Sequence, residues 1–112
     1  MAAQKSNFDC IIIGGGPAGL TAATYLLRFR RSVLIIDKND ARLKLALCIR
    51  NLIGYSNGIS GLRLLKKIRA QAAKYYPTEV TGSASIARNK NNLDVLVNGQ
   101  LYTSKYVILA TG

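Results

Sequence analysis

The sequence predicts an α/β fold, a parallel sheet extended by a small antiparallel β-meander. Three observations carry that prediction. The run Cys10-Ile-Ile-Ile13 reads as a short buried strand that passes straight into Gly14-x-Gly16-x-x-Gly19, with helical spacing beyond it. From Thr78 the hydrophobic period changes from 3.6 to 2, the mark of strands rather than helices. The chain then returns through the apolar run Tyr106-Val-Ile-Leu-Ala110, which leads into Thr111-Gly112.

In the first turn each glycine has a separate task. Gly14 would allow the tight turn, Gly16 would let backbone N–H groups approach a pyrophosphate, and Gly19 would let the helix pack closely on the strand. Gly15 and Ala18 complete the turn. Pro17 suits the first helical turn, where its missing N–H leaves nothing unpaired. The exposed N–H groups and the helix dipole then favour a dianionic diphosphate. Leu20, Ala23, Leu26 and Leu27 follow at helical spacing, and Arg28, Arg30 and Arg31 gather at the end where positive charge suits the dipole. A second apolar strand, residues 33–36, ends in Asp37, about 20 positions past the glycines, where an acid holds the ribose hydroxyls of a dinucleotide. Together these form a nucleotide-binding βαβ unit; a glycine turn serving only helix–strand packing is the competing reading.

Beyond Asp37, residues 38–42 are polar and leave the sheet as a loop. Leu43, Leu45, Leu47 and Ile49 alternate with smaller or polar residues, formally a strand pattern, but their position indicates an extended connection along the nucleotide site. Residues 50–58 are turn-rich through Gly54, Asn57 and Gly58. Asn51 and Tyr55 here would present an amide and a ring to a flat ligand, or else satisfy the loop's own backbone and packing. Ser60 N-caps a helix from Leu62 to about Tyr76. Leu64, Leu65, Ile68, Ala72 and Tyr75 fall on one side of it, Arg63, Lys66, Lys67 and Lys74 on the other, and Pro77 stops it. Short strands are expected over 78–81, 83–88, 94–97 and 101–103, with a turn at 89–92 and a hairpin at Asn98-Gly99. The return strand covers 106–110.

A length of 112 residues bounds the chain to one domain at most. The longest apolar runs, four or five residues, exclude a membrane-spanning helix. Lys5 and the apolar stretch after it faintly mimic a leader peptide; Asp9 and the Gly-Gly-Gly-Pro interruption argue against one, so the chain reads as cytoplasmic. Two cysteines do not make a disulfide framework. Cys10 is a small core residue, and Cys48 lies in a less regular stretch. With no histidine and no CxxC pair, no metal ligand, catalytic base or hydrolytic triad is assigned. Sixteen Lys+Arg against five Asp+Glu give a formal charge of +11, which attracts polyanions. The basic residues are scattered and carry no zinc-finger, RNP-type or helix-turn-helix signature, so no specific nucleic-acid partner is expected. A positive surface also favours phosphate-bearing cofactors.

Taken together, Ile13-Gly-Gly-Gly-Pro-Ala-Gly-Leu20, Val33-Leu-Ile-Ile-Asp37, Asn51…Gly54-Tyr55, Ile59-Ser-Gly61 with Leu65…Gln71-Ala72, and Ala110-Thr-Gly112 carry a resemblance. Over nearly its whole length the chain resembles the flavoproteins with two dinucleotide-binding domains, and within them thioredoxin reductase and its relatives. It departs from their pattern in having Asp37 where a Glu is common, and Asn51-Leu-Ile-Gly54 where an Asn-x-Pro-Gly loop is usual. The resemblance implies a Rossmann-like FAD-binding domain over residues 1–112. The NADPH domain and the C-terminal segment that completes the FAD site in that family would lie outside them.

It also implies roles. Gly14, Gly15, Gly16, Pro17, Ala18 and Gly19 would cradle the pyrophosphate of FAD, Asp37 would hold the adenosine ribose, and Thr111 and Gly112 would lie near the flavin. Lys38 and Asn51 join them as candidate cofactor contacts. NADPH would be the electron donor, and a thioredoxin-like protein or another redox acceptor would take the electrons from a homodimer of the full-length protein. Two other readings stay open. One is an NAD(P)-binding module without flavin, in which Lys38 meets a 2′-phosphate; the other is a non-catalytic remnant of the fold.

Overall fold

The computed structural model describes residues 6–112; Lys5, weighed above as part of a leader, lies outside them. The chain begins with β1 (Asn7–Ile13), α1 (Pro17–Arg28) and β2 (Val33–Asp37). β1 starts three residues earlier than its apolar run, because Asn7 and Phe8 already pair with Thr103 and Ser104 of the last strand in the chain. β1 is central and pairs in parallel on both sides, so Ile11 and Ile12 are fully buried on opposite faces.

Arg42–Leu45 form a single 3₁₀ turn, not the extended run that the alternation implied. Only Ile49 keeps strand-like pairing, in an isolated antiparallel bridge with Ile59. α2 (Gly61–Ala73) follows, its Ser60 cap accepting from the Arg63 N–H at 3.2 Å. The helix ends three residues short of expectation. Pro77 disfavours helical geometry in the residue before it, and Tyr76 turns to φ +55° instead. Tyr75 is thereby left partly exposed rather than on the core side.

β3 (Thr78–Thr81), β4 (Ala84–Asn89), β5 (Asn92–Val97) and β6 (Gln100–Leu109) complete one six-stranded sheet in the order β3-β2-β1-β6-β5-β4. The two short strands expected over 101–103 and 106–110 are one strand. β6 pairs antiparallel with β5 through its first half and parallel with β1 through its second, so it joins the meander to the parallel sheet. The Asn98-Gly99 hairpin forms as expected, with both residues at positive φ as a tight two-residue turn requires.

One face of the sheet is covered by helices: Cys10, Ile12, Val33 and Ile35 pack with Leu20 and Ala23 of α1 and Leu65 and Ala72 of α2. Phe8, Ile11, Leu34 and Ile36 on the other face cluster with Val95, Val97 and Tyr102 of the meander. The meander must therefore curl over that face. β3 and β4 are opposite edges of the sheet, about 24 Å apart if it were flat, yet two residues join them and reach only about 11 Å. The Asn98 side-chain amide, donating to the Thr81 carbonyl at 2.7 Å, ties the hairpin tip to the end of β3. Among the described residues no helix is long and apolar enough to cross a membrane.

Candidate functional site

β1 leads through α1 to β2 on one side, and its other neighbour is β6, so the strand order reverses at β1. In open α/β sheets the crevice at such a reversal, outside the carboxyl ends of the strands, is where ligands bind. All three carboxyl ends are tied together here: Gly14 donates to the Ile36 carbonyl at 2.8 Å, and Ala110 to the Ile13 carbonyl at 2.7 Å.

The glycines of the turn have distinct physical reasons. Gly14 sits at φ +118°, and a Cβ there would run into the Ala110 carbonyl. At Gly15 a Cβ would lie 2.5 Å from the Asp37 carboxylate, which instead accepts the Gly15 N–H at 3.2 Å. Gly19 lets α1 press on β1, where a Cβ would meet the Gly14 carbonyl and the Ile12 side chain. Gly16 differs. Its φ of −83° and ψ of −167° suit any residue, and the nearest atom to an added Cβ is Ala41 Cβ at 3.8 Å. Nothing within the protein demands glycine there; its absent side chain leaves the cleft open.

Gly16 is also the N-cap of α1, with Pro17 in the first turn and no side chain capping it. The first-turn N–H groups have no intrahelical acceptors, so they and the helix dipole face the cleft as a site for negative charge. That cleft has a volume of about 300 Å³. It brings together Gly14, Gly15, Gly16, Pro17, Ala18, Asp37, Thr111 and Gly112. Gly19 lies behind them in the helix–strand contact. Lys38 lines a smaller adjoining pocket of about 70 Å³, shared with Gly14, Asp37 and Thr111. Asn51 does not join the cleft; it lines an open groove within its own loop, residues 50–56. Tyr55 of that loop lies under the Lys67 ammonium, 5.5 Å from the ring centre.

Several site residues escaped the sequence. Asp40, Ala41, Arg42 and Leu43 form the outer wall, brought there by the 3₁₀ turn that the alternating pattern concealed. Arg69 of α2 reaches the glycine turn: its Nη2 donates to the Gly15 carbonyl at 3.3 Å and to Asp37 Oδ2 at 3.4 Å. A signal for it existed. Leu65, Ile68, Arg69 and Ala72 stand at i, i+3, i+4 and i+7, so Arg69 is a charge within the apolar stripe. Burial pushes the Cys10 thiol pKa up, outweighing a backbone hydrogen bond at Ile108 that lowers it, and the neighbouring Asp9 charge adds to the rise.

Crevice, glycine turn and acid-ended second strand place the domain among the Rossmann-like α/β folds. Residues 8–112 match the family model described as pyridine nucleotide-disulphide oxidoreductase, and the chain belongs to that family. It is 36% identical over 110 residues to a thioredoxin reductase from Borreliella burgdorferi, covering 93% of this chain and 33% of that protein. It is 33% identical over 117 residues to a ferredoxin–NADP reductase from Lysinibacillus sphaericus, covering 97% and 34%. The crystal structure of a thioredoxin reductase from Streptococcus pyogenes superposes with a TM-score of 0.90 at 34% identity, covering 97% of this chain and 36% of that one. The chain thus spans about a third of the length of these relatives.

Proposed function

We propose that residues 1–112 are the FAD-binding portion of a thioredoxin reductase-like flavoprotein oxidoreductase, which passes electrons from NAD(P)H through FAD to a disulfide or another acceptor. The observation that carries this reading is Gly16: an extended N-cap where an added Cβ would meet no protein atom closer than 3.8 Å but would enter the cleft before an uncapped helix N-terminus. That is the space a diphosphate needs. Donor and acid chemistry agree with a dinucleotide: N–H groups for the diphosphate, and the Asp37 carboxylate at the strand end for ribose hydroxyls.

In this reading the turn, residues 14–19, holds the diphosphate, Asp37 accepts from the adenosine ribose, and Thr111 and Gly112 border the flavin end. Lys38 stands beside Asp37 as a candidate contact, and Asn51 is kept as one from the neighbouring loop. Bound FAD would supply the hydride acceptor and electron relay, while these residues bind and orient it. Membership of the family supports FAD over a nicotinamide cofactor at this turn. The acceptor class is left wide, since the relatives include proteins named for thioredoxin and for ferredoxin. A full-length homodimer with a thioredoxin-like acceptor is the family's arrangement and belongs to the same proposal.

Titration of the purified chain with FAD and, separately, with NADPH tests the reading, following thermal unfolding and flavin fluorescence. Stabilisation by FAD is expected. Stabilisation by NADPH and not by FAD would replace it with the flavin-free NAD(P) module.

A further inference from the structure

We propose that Arg69 is a positioning residue for the ribose-binding acid: it holds the Asp37 carboxylate and the Gly15 peptide in one arrangement, and so acts on the cofactor through Asp37. The inference rests on the FAD reading above. One guanidinium amino group, Nη2, bridges two acceptors from different elements, the Gly15 carbonyl at 3.3 Å and Asp37 Oδ2 at 3.4 Å. The Gly15 N–H takes the other carboxylate oxygen at 3.2 Å. Gly15, Asp37 and Arg69 thereby close a ring of hydrogen bonds across the glycine turn, the end of β2 and α2.

A lone Asp side chain rotates about two torsions, and its terminal one is broad. Here each carboxylate oxygen is held by a separate donor, which leaves the carboxylate one orientation. A carboxylate offers about four lone-pair sites, so Gly15 and Arg69 leave about two, the number that a ribose 2′,3′-diol uses. Asp37 faces the cleft with those sites while its side chain stays mostly buried. The far side of the guanidinium is met by Glu79 of β3, with Nη1 3.8 Å from Oε1. Set between two carboxylates, the Arg69 guanidinium already has an anionic partner on each side, which suits a brace better than a phosphate ligand.

A purely structural Arg69, tying α2 to β3, would predict different numbers, and a double-mutant cycle separates the two. FAD affinity is measured for the wild-type chain and for Arg69→Ala, Arg69→Lys, Asp37→Ala and the Arg69→Ala/Asp37→Ala pair, each checked for folding by circular dichroism. Arg69→Ala is expected to weaken binding roughly tenfold. Arg69→Lys should recover part of that, since it keeps the charge and loses the fork. In the Asp37→Ala background the removal of Arg69 should change affinity by less than about twofold. An equal loss in both backgrounds would overturn the proposal.

A second measurement needs no cofactor: the Gly15 amide resonance in ¹⁵N-labelled protein. Folded Arg69→Ala should shift it, and Asp37→Ala, which removes the acceptor of the Gly15 N–H, should shift it as well. An unmoved Gly15 resonance in folded Arg69→Ala would overturn the brace whether or not FAD binds. Failure of the wild-type chain to bind FAD, with the resonance shifting as expected, would instead count against the cofactor reading alone.

Discussion

In the proposed cofactor site, Asp37 and Gly16 each act through a single group. Hydrogen bonds to a charged group contribute about 1.5–3 kcal/mol each when well formed. Asp37→Ala is therefore expected to weaken FAD binding by roughly ten- to a hundredfold with the fold kept; titration by fluorescence quenching measures it, and unchanged affinity would remove Asp37 from the site. Gly16→Val works through volume. The backbone at φ −83° accepts valine without strain, and no protein atom stands closer than 3.8 Å to its Cβ. Far-UV circular dichroism should survive the change while dinucleotide binding is lost. Gly14 and Gly19 contrast with it, since a Cβ at either meets the protein's own backbone. Substitutions there would cost stability before they cost binding.

Among the elements, α2 matters more than its amphipathic surface implies. It buries Leu65 and Ala72 in the core between sheet and helices, packs Gly61 against the Leu43 and Ala46 carbonyls, and delivers Arg69 to the glycine turn, so its stability is coupled to the site. Ser60 satisfies one of the N–H groups left open at its start. Ser60→Ala is expected to cost about 1 kcal/mol, lowering Tm by about 4–8 °C for a domain of this size, as calorimetry or thermal circular dichroism would show. A Tm within a degree or so of wild type would mean that packing alone holds the helix start. β6 couples two regions in the same way. Its first half is a meander strand and its second half a parallel strand, so the hairpin at Asn98-Gly99 also sets the register in which Ala110, Thr111 and Gly112 reach the cleft.

For the whole molecule, the sheet's curl decides what the cleft can be. The meander covers one face and the helices the other, leaving the carboxyl ends of β1, β2 and β6 open between them. The 112 residues contain one GxGxxG turn and no CxxC, so in the proposed function they offer one turn for a dinucleotide and no CxxC dithiol to receive electrons. The isolated 112-residue chain is expected not to turn over NADPH with saturating FAD and ferricyanide. Steady oxidation well above the free-flavin background, followed at the nicotinamide absorbance, would show that these residues suffice for catalysis.

What the sequence determined by itself was the local chemistry. Apolar runs of four residues, a glycine turn, Pro17 at the helix start, the Ser60 cap and the Asn98-Gly99 hairpin each act over a few neighbouring residues, and periodicity and turn rules read them directly. Gly14, Gly16, Gly19 and Asp37 were legible for the same reason, because their spacing is that of one βαβ unit. Tertiary structure decided the rest. The alternation over residues 43–49 became a 3₁₀ turn and a single bridge, since that segment wraps the cleft mouth instead of joining the sheet. Asn51 was drawn into its own loop's groove. Arg69 lies 32 residues from Asp37 and 54 from Gly15, and only the packing of α2 on the sheet brings the three together. Spacing rules carry no information at that range; the hydrogen bonds that join these residues exist only once the core beneath them has formed.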